Sequence, residues 1–472
     1  MPAEKGCRDK ADYIVKVLLK ESPLLLQDHE AFGRVARIAW PAMVESFFQA
    51  ATVLIDGFML SDLGYSAIAA VGLTAQPKFI AISPFIATSM AANALTARRL
   101  GQGKRKDAHS ILLAVLLFAC AGALLVGAVC AIFAEQLMHL AGSDGDTHEA
   151  AVSYFQIVMG GIVFHVVSLS VNAAQRGSGK TNLSMRTNVA SSGVNILFNW
   201  LLINGNWGFP ALGVSGAAIA TVLGSAVGCT MSILSLFARG SFLSAAFLTR
   251  EKVRVTRGAI SAIGNIASSV LMENILIRIG YMATAIMAAR LGAQAMAAHN
   301  VGLNLLTLSF SIGDGIQVAA VSLIGQSLGE GRPERARYYG RLCQEMGFIA
   351  SALMTVAFLL GGRSLFALFF PTSPEAVSYG VMITHRLVIV IIIQISQVVY
   401  LGSLRGAGDA RYVMVALVIS VTVVRAGSGI LFCELLHMGL PGLWLSIIAD
   451  QVSRYLFTST RFKKGKWTEL QI

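Results

Sequence analysis

Four polar side chains in the first apolar stretch of this 472-residue chain could handle an ion: Glu45, Gln49, Thr52 and Asp56. Their positions, 4, 7 and 11 residues after Glu45, return to nearly one angle at 3.6 residues per turn. They therefore form one polar stripe on an otherwise apolar helix. Farther along, Asn195 and Asn199 stand one turn apart, and Thr221 follows. Should these three meet Asp56, one carboxylate and several neutral oxygens would surround a cation. Hard cations prefer such oxygen ligands. A proton would need only the carboxylate, whereas a sodium ion would need the neutral oxygens to converge. In the second half, Glu273 stands 228 residues after Glu45. Each polar side chain has a plainer alternative role, since hydrogen bonds between helices also hold membrane bundles together.

The elements that must carry these residues follow from composition. Hydrophobic residues make up 55% of the chain and charged residues 13%, against about 25% charged in an ordinary globular protein. So few charges cannot cover a soluble protein of this length. That excludes a soluble enzyme, a disordered chain and a nucleic-acid binder. A spanning helix needs ~20 mostly apolar residues. Twelve stretches qualify: 34–60, 74–98, 110–133, 150–174, 183–203, 212–238, 259–288, 296–326, 340–361, 376–402, 411–432 and 438–460. The second and eighth admit a reading as broken helices. Alternation typical of membrane strands is absent, and backbone groups in lipid must satisfy themselves. The expected fold is all-α and integral to the membrane.

Basic residues set the orientation. Loop 98–106 holds Arg98, Arg99, Lys104, Arg105 and Lys106, and loop 332–341 holds Arg332, Arg335, Arg337 and Arg341. Segment 239–258 carries Arg239, Arg250, Lys252, Arg254 and Arg257, and the tail 461–472 carries Arg461, Lys463, Lys464 and Lys466. Loop 134–150 has four acids and no Lys or Arg. The positive-inside rule then puts both termini and every even loop in the cytoplasm, with the protein in the cell (inner) membrane. The net charge of +12 is thereby an orientation signal rather than a nucleic-acid surface. In segment 1–33, residues 13–19 could form a short amphipathic helix on the membrane surface.

The halves repeat. Leu63-Gly64 through Ala70 matches Leu291-Gly292 through Ala298, and Leu100-Gly101-Gln102-Gly103 matches Leu328-Gly329-Glu330-Gly331. Arg176-Gly177-Ser178-Gly179 matches Arg405-Gly406-Ala407-Gly408, and the three offsets are 228, 228 and 229. Six helices per repeat, an even number, make the repeats parallel. Bundles 34–238 and 259–460 are then related by a pseudo-two-fold axis along the membrane normal, joined by the basic linker 239–258. Such repeats with a site between or within them are a transporter plan.

The chain resembles the multidrug and toxic compound extrusion family across nearly all of residues 34–460. The resemblance rests on Pro41 followed by Asp56 and Leu63-Gly64, on the signatures at 100–103 and 325–329, and on the Arg-Gly-x-Gly turns. It also rests on Asn195-Ile196-Leu197-Phe198-Asn199 with Gly216 through Thr221. It implies a V-shaped pair of bundles and cation-driven export of organic compounds. It implies a cation site in the first bundle, where the position of Asn199 is often aspartate in the family. It further implies that Glu273 is the seventh-helix acid important to transport, although some branches carry that acid one turn later, where Ile277 stands here. The sodium-coupled branch has an acid in helix ten at the place of Gln394, so a complete second-bundle cation site is not expected.

Other motifs have plainer readings. Arg176 through Thr181 looks like the end of a phosphate loop, but Ala174 stands where that loop needs glycine, and no strand precedes it. Cys120, Cys130 and Cys229 lie in apolar runs without ligand spacing. His165, His299 and His385 are each expected to be satisfied structural groups, and Asp314 and Arg290 to pair with other helices. No cofactor and no enzymatic activity are expected, since no clustered His/Asp or Ser/His set is present. The leading reading is a secondary antiporter exporting organic, cationic or amphipathic compounds against protons or sodium. The alternative is a flippase for a lipid-linked precursor.

Overall fold

A computed structural model describes residues 28–238, 242–369 and 374–470. The first bundle contains α1 (His29–Ser61), α2 (Tyr65–Gly101), α3 (Arg105–Ile132), α4 (His148–Gly160), α5 (Ile162–Gly177), α6 (Thr181–Ile203) and α7 (Gly213–Ser235). The second contains α8 (Arg257–Arg290), α9 (Ala293–Gly329), α10 (Pro333–Phe369), α11 (Pro374–Gly406), α12 (Ala410–Leu435) and α13 (Gly439–Lys464). Each of the twelve apolar stretches coincides with a helical segment. Nine helices are long and apolar enough to cross a membrane among the described residues, or ten with α4 and α5 as one span. No strand occurs among the described residues.

Three expectations change. The second and eighth spans are not broken: α2 and α9 are each a continuous 37-residue helix, and α2 holds Pro77 and Pro84 within it. The break falls in the fourth span, where α4 and α5 meet at 49°. Paired glycines explain it: Gly160 and Gly161 sit at the junction, and a Cβ on Gly161 would lie 2.5 Å from Val222. The described part of the basic tail packs back on the bundle. After Lys464 the chain turns at Gly465, and Trp467 is buried, stacked on Phe462 with ring centroids 4.9 Å apart. The short amphipathic helix expected at 13–19 lies outside the described residues.

The repeat appears as geometry. Gly64 before α2 and Gly292 before α9 both adopt φ of 98°, a conformation open to glycine. The repeated Leu-Gly pairs are thus the same turn in each half. The glycines of the second repeated motif meet each other. A Cβ on Gly101 would collide with the backbone oxygen of Gln326, and one on Gly329 with that of Arg98. Only glycine allows α2 and α9 to cross so closely. Ser322 and Gln326 on α9 each donate to the Gly177 carbonyl at 3.3 Å. Gly64 and Gly292 open α2 and α9 at one end of the molecule, while the repeated turns after Gly101, Gly177, Gly329 and Gly406 gather at the other, the end bearing the basic loops. There Val35, Ile38 and Ala39 of α1 pack on Ile316, Ala320 and Leu323 of α9. The linker docks beside this end through Lys106 Nζ and Glu251, 2.6 Å apart, and the ammonium holds the Glu251 carboxyl below its usual range.

Candidate carboxylate site in the first bundle

Asp56 lies five residues before the end of α1, on the face turned toward α6. Asn199 Nδ2 donates to Asp56 Oδ1 at 2.6 Å. Asn195, oriented as its neighbours require, donates from Nδ2 to the same oxygen at 2.9 Å and accepts from the Thr221 backbone N–H at 3.2 Å. The Thr221 hydroxyl donates to the Ala217 carbonyl at 2.9 Å. The four residues expected to converge are therefore together. The chemistry of the set differs from an oxygen cage, because Asp56 receives amide hydrogens. Close packing makes this possible: a Cβ on Gly224 of α7 would lie 2.7 Å from the Ser191 carbonyl and 3.0 Å from the Asn195 Cβ. This holds α7 and Thr221 tight against α6.

Two groups at this site escaped the sequence reading. Tyr154 of α4 is buried beside Thr221 and within electrostatic reach of Asp56. Lys78 of α2 is also within electrostatic reach of Asp56. It lines a cavity of ≈ 160 Å³ with His165, Thr221 and Ser225. A second cavity of ≈ 50 Å³ lies against the first and shares His165 and Ser225 with it. Glu45, Gln49, Ser168, Asn172, Arg176 and Asn188 also line this second cavity. The two cavities together reach from Thr221 and Lys78 to Glu45.

The rest of the α1 stripe divides. Glu45 is buried and fully engaged: Arg176, Ser184 and Asn188 each donate to its carboxylate at 2.7 Å. Gln49 faces the smaller cavity, while Thr52 turns onto its own helix and donates to the Phe48 carbonyl at 2.7 Å. Glu273 is in the other bundle, where Arg405 Nη2 donates to it at 2.5 Å. The two acids are therefore held alike, each by the arginine of its own Arg-Gly-x-Gly turn. Gln394 is buried on α11, and its Oε1 has no hydrogen-bond partner among the described residues. Asp314 accepts from Ser46 at 3.0 Å, and Arg290 pairs with Glu434 at 2.9 Å.

The second bundle holds a further charged cluster. Asp450 accepts from Arg454 at 2.7 and 2.6 Å, and Arg425 lies 3.5 Å from it, all three side chains being buried. Arg425 closes a π-helical turn over Ile419–Arg425, which widens α12 where the cluster sits. This cluster was not singled out from the sequence, where the i, i+4 spacing of Asp450 and Arg454 was the available signal. The arrival of Arg425 from another helix left none.

Two parallel six-helix bundles, each with buried carboxylates, define a polytopic membrane transporter. The MatE family profile matches residues 41–201 and 270–431, and the chain belongs to that family, whose members are transporters and not enzymes. Among its relatives is the "Probable multidrug resistance protein NorM" of Thermotoga maritima, 25% identical over 431 residues, covering 91% of this chain and 92% of that one. The multidrug resistance protein MdtK of Yersinia enterocolitica is 24% identical over 449 residues, covering 92% and 95%. The fold matches a solved structure of an outward-facing multidrug resistance MATE family transporter with TM-score 0.83 at 20% identity, covering 92% of this chain and 97% of that one. A solved MATE in the straight conformation gives TM-score 0.85 at 21% identity with the same coverage.

Proposed function

We propose that this protein is a secondary antiporter of the inner membrane, with both termini cytoplasmic, that exports organic cationic or amphipathic compounds. The coupling ion is a proton taken up by Asp56, sodium being the alternative. One observation carries the reading: the Asp56 carboxylate accepts two amide hydrogens at one oxygen, from Asn199 at 2.6 Å and Asn195 at 2.9 Å. Such a carboxylate can gain a proton with no new ligand. Alternating access requires that proton and substrate favour different conformations. Protonation cancels the charge that the two amides hold, so Asn195 and Asn199 can repack and narrow the first-bundle cavity. The relatives' names support multidrug export. The basic loops gathered at one end support the orientation.

The flippase reading gains one observation, the Lys78 ammonium on a cavity wall. At ≈ 160 Å³ that cavity takes a small group rather than a lipid-linked sugar. Drug susceptibility of cells expressing wild type or Asp56→Asn separates the readings. Wild type should protect cells against organic cations and Asp56→Asn should not. Protection lost by neither, or given by neither, removes the antiporter reading.

A further inference from the structure

We infer that the groove between α3 and α8 binds one anionic phospholipid from the leaflet on the side of the basic loops, with an acyl chain in the groove and the phosphate on Arg254 and Arg257.

The groove has a volume of ≈ 430 Å³, and its walls come from α2, α3, the end of the linker and α8. Its floor is the packing of the two bundles, where Val115 of α3 clusters with Ile263 and Ala267 of α8. Leu117, Phe118 and Ile260 stand exposed along its sides. The one polar side chain in the wall is Thr88, whose hydroxyl is spent on its own helix, 3.1 Å from the Pro84 and Phe85 carbonyls. The groove thus offers no polar group to a ligand, and a hydrocarbon chain suits it. Along α8 it runs from Ile260 to Ala267, about 10 Å at 1.5 Å per residue. That depth lies within one leaflet of a hydrocarbon core ~30 Å thick.

The mouth is charged. The Thr256 N–H donates to Ser110 Oγ at 3.0 Å, which pins the linker to α3 one turn before Ala114 of the groove wall. Val255 itself joins the wall, so Arg254 and Arg257 flank the mouth. Both arginines are exposed, and neither pairs with an acid among the described residues. The only acid of the linker, Glu251, is held by Lys106 at 2.6 Å. Two guanidinium groups above an apolar slot match a phosphate above an acyl chain, since the guanidinium fork fits phosphate oxygens. An organic cation would be repelled there. Because both bundles supply walls, a seated lipid touches both.

Neither Asp56 nor transport enters the test. The full chain, purified in detergent and stripped of lipid, is titrated with phosphatidylglycerol or with phosphatidylcholine of the same chains. Native mass spectrometry counts the bound copies. Each basic residue near an anionic headgroup strengthens binding about fivefold, so wild type should hold one phosphatidylglycerol about 25-fold tighter than phosphatidylcholine. Arg254→Gln/Arg257→Gln should lose that preference. Arg250→Gln/Lys252→Gln, the same charge change elsewhere in the linker, should keep it. Gly264→Phe should lose the tight site while its lipid-free thermal midpoint stays level or rises. No atom lies within 4 Å of the Gly264 Cβ position, so the ring enters the groove without a clash. No preference in wild type, equal loss in the two charge variants, or phosphatidylglycerol held as tightly by Gly264→Phe as by wild type would overturn the inference. Should Gly264→Phe not yield monodisperse protein, Gly264→Leu takes its place and is read the same way.

Discussion

Glu45 and Glu273 show what a repeated residue can be for. They stand 228 residues apart, and the arginines that hold them, Arg176 and Arg405, stand 229 apart. Each pair fixes the Arg-Gly-x-Gly turn of its own bundle. Their geometry positions the turns, and in the proposed cycle the charge change falls to Asp56. Glu45→Gln leaves Arg176 facing an amide in a buried site, so it should destabilise the protein by about 3 kcal/mol. That lies at the low end for such pairs because Arg176 retains some exposure. Thermal unfolding in detergent checks it, and an unchanged midpoint would mean that the pair contributes nothing. Glu273→Gln should lower both thermal stability and export, and Gln394→Ala should lower export less. Vesicle efflux of the two variants at matched expression decides the order. Asp56, Asn195, Asn199 and Thr221 were legible as residues because helical spacing and amide chemistry single them out. Lys78 was not. It sits near the start of the apolar stretch at 74, where a charge reads as interfacial, and only the true start of α2 at Tyr65 puts it inside.

Helices α2 and α9 are the elements whose contact sets the conformation. Their crossing depends on bare backbone at Gly101 and Gly329. Gly101→Val would drive a side chain into the Gln326 carbonyl, and overpacking of this kind costs about 1–3 kcal/mol. It should separate the two helix ends, lower the thermal midpoint and raise the reactivity of a cysteine placed at Ser322. Gly361→Ala is the control: no atom lies within 4 Å of its Cβ position, so it should be neutral or stabilising by less than about 1 kcal/mol. Equal behaviour of the two variants would remove the crossing as the controlling contact. Helix existence was legible throughout, since an apolar stretch of spanning length has few other options. Breaks were not. The second span admitted a broken reading, yet α2 absorbs Pro77 and Pro84, while Gly160-Gly161 bends the fourth span against Val222.

At the scale of the whole molecule, the repeat was legible as three short matches at constant offset, and each match became a turn or a crossing. What it could not reveal is that these glycines meet across the bundles, because that depends on packing between distant segments. The gathering of basic loops at one end makes orientation testable. A cysteine placed at position 145 should be labelled from outside intact cells and one at 104 should not; the reverse pattern would invert the protein in the membrane. In the proposed cycle Asp56 couples a proton to export. The most direct measurement is substrate efflux from proteoliposomes under an imposed pH gradient, wild type against Asp56→Asn. Wild type should accelerate with the gradient, and Asp56→Asn should show no gradient dependence even where it still binds substrate. Gradient-driven efflux by Asp56→Asn at the wild-type rate would contradict the account.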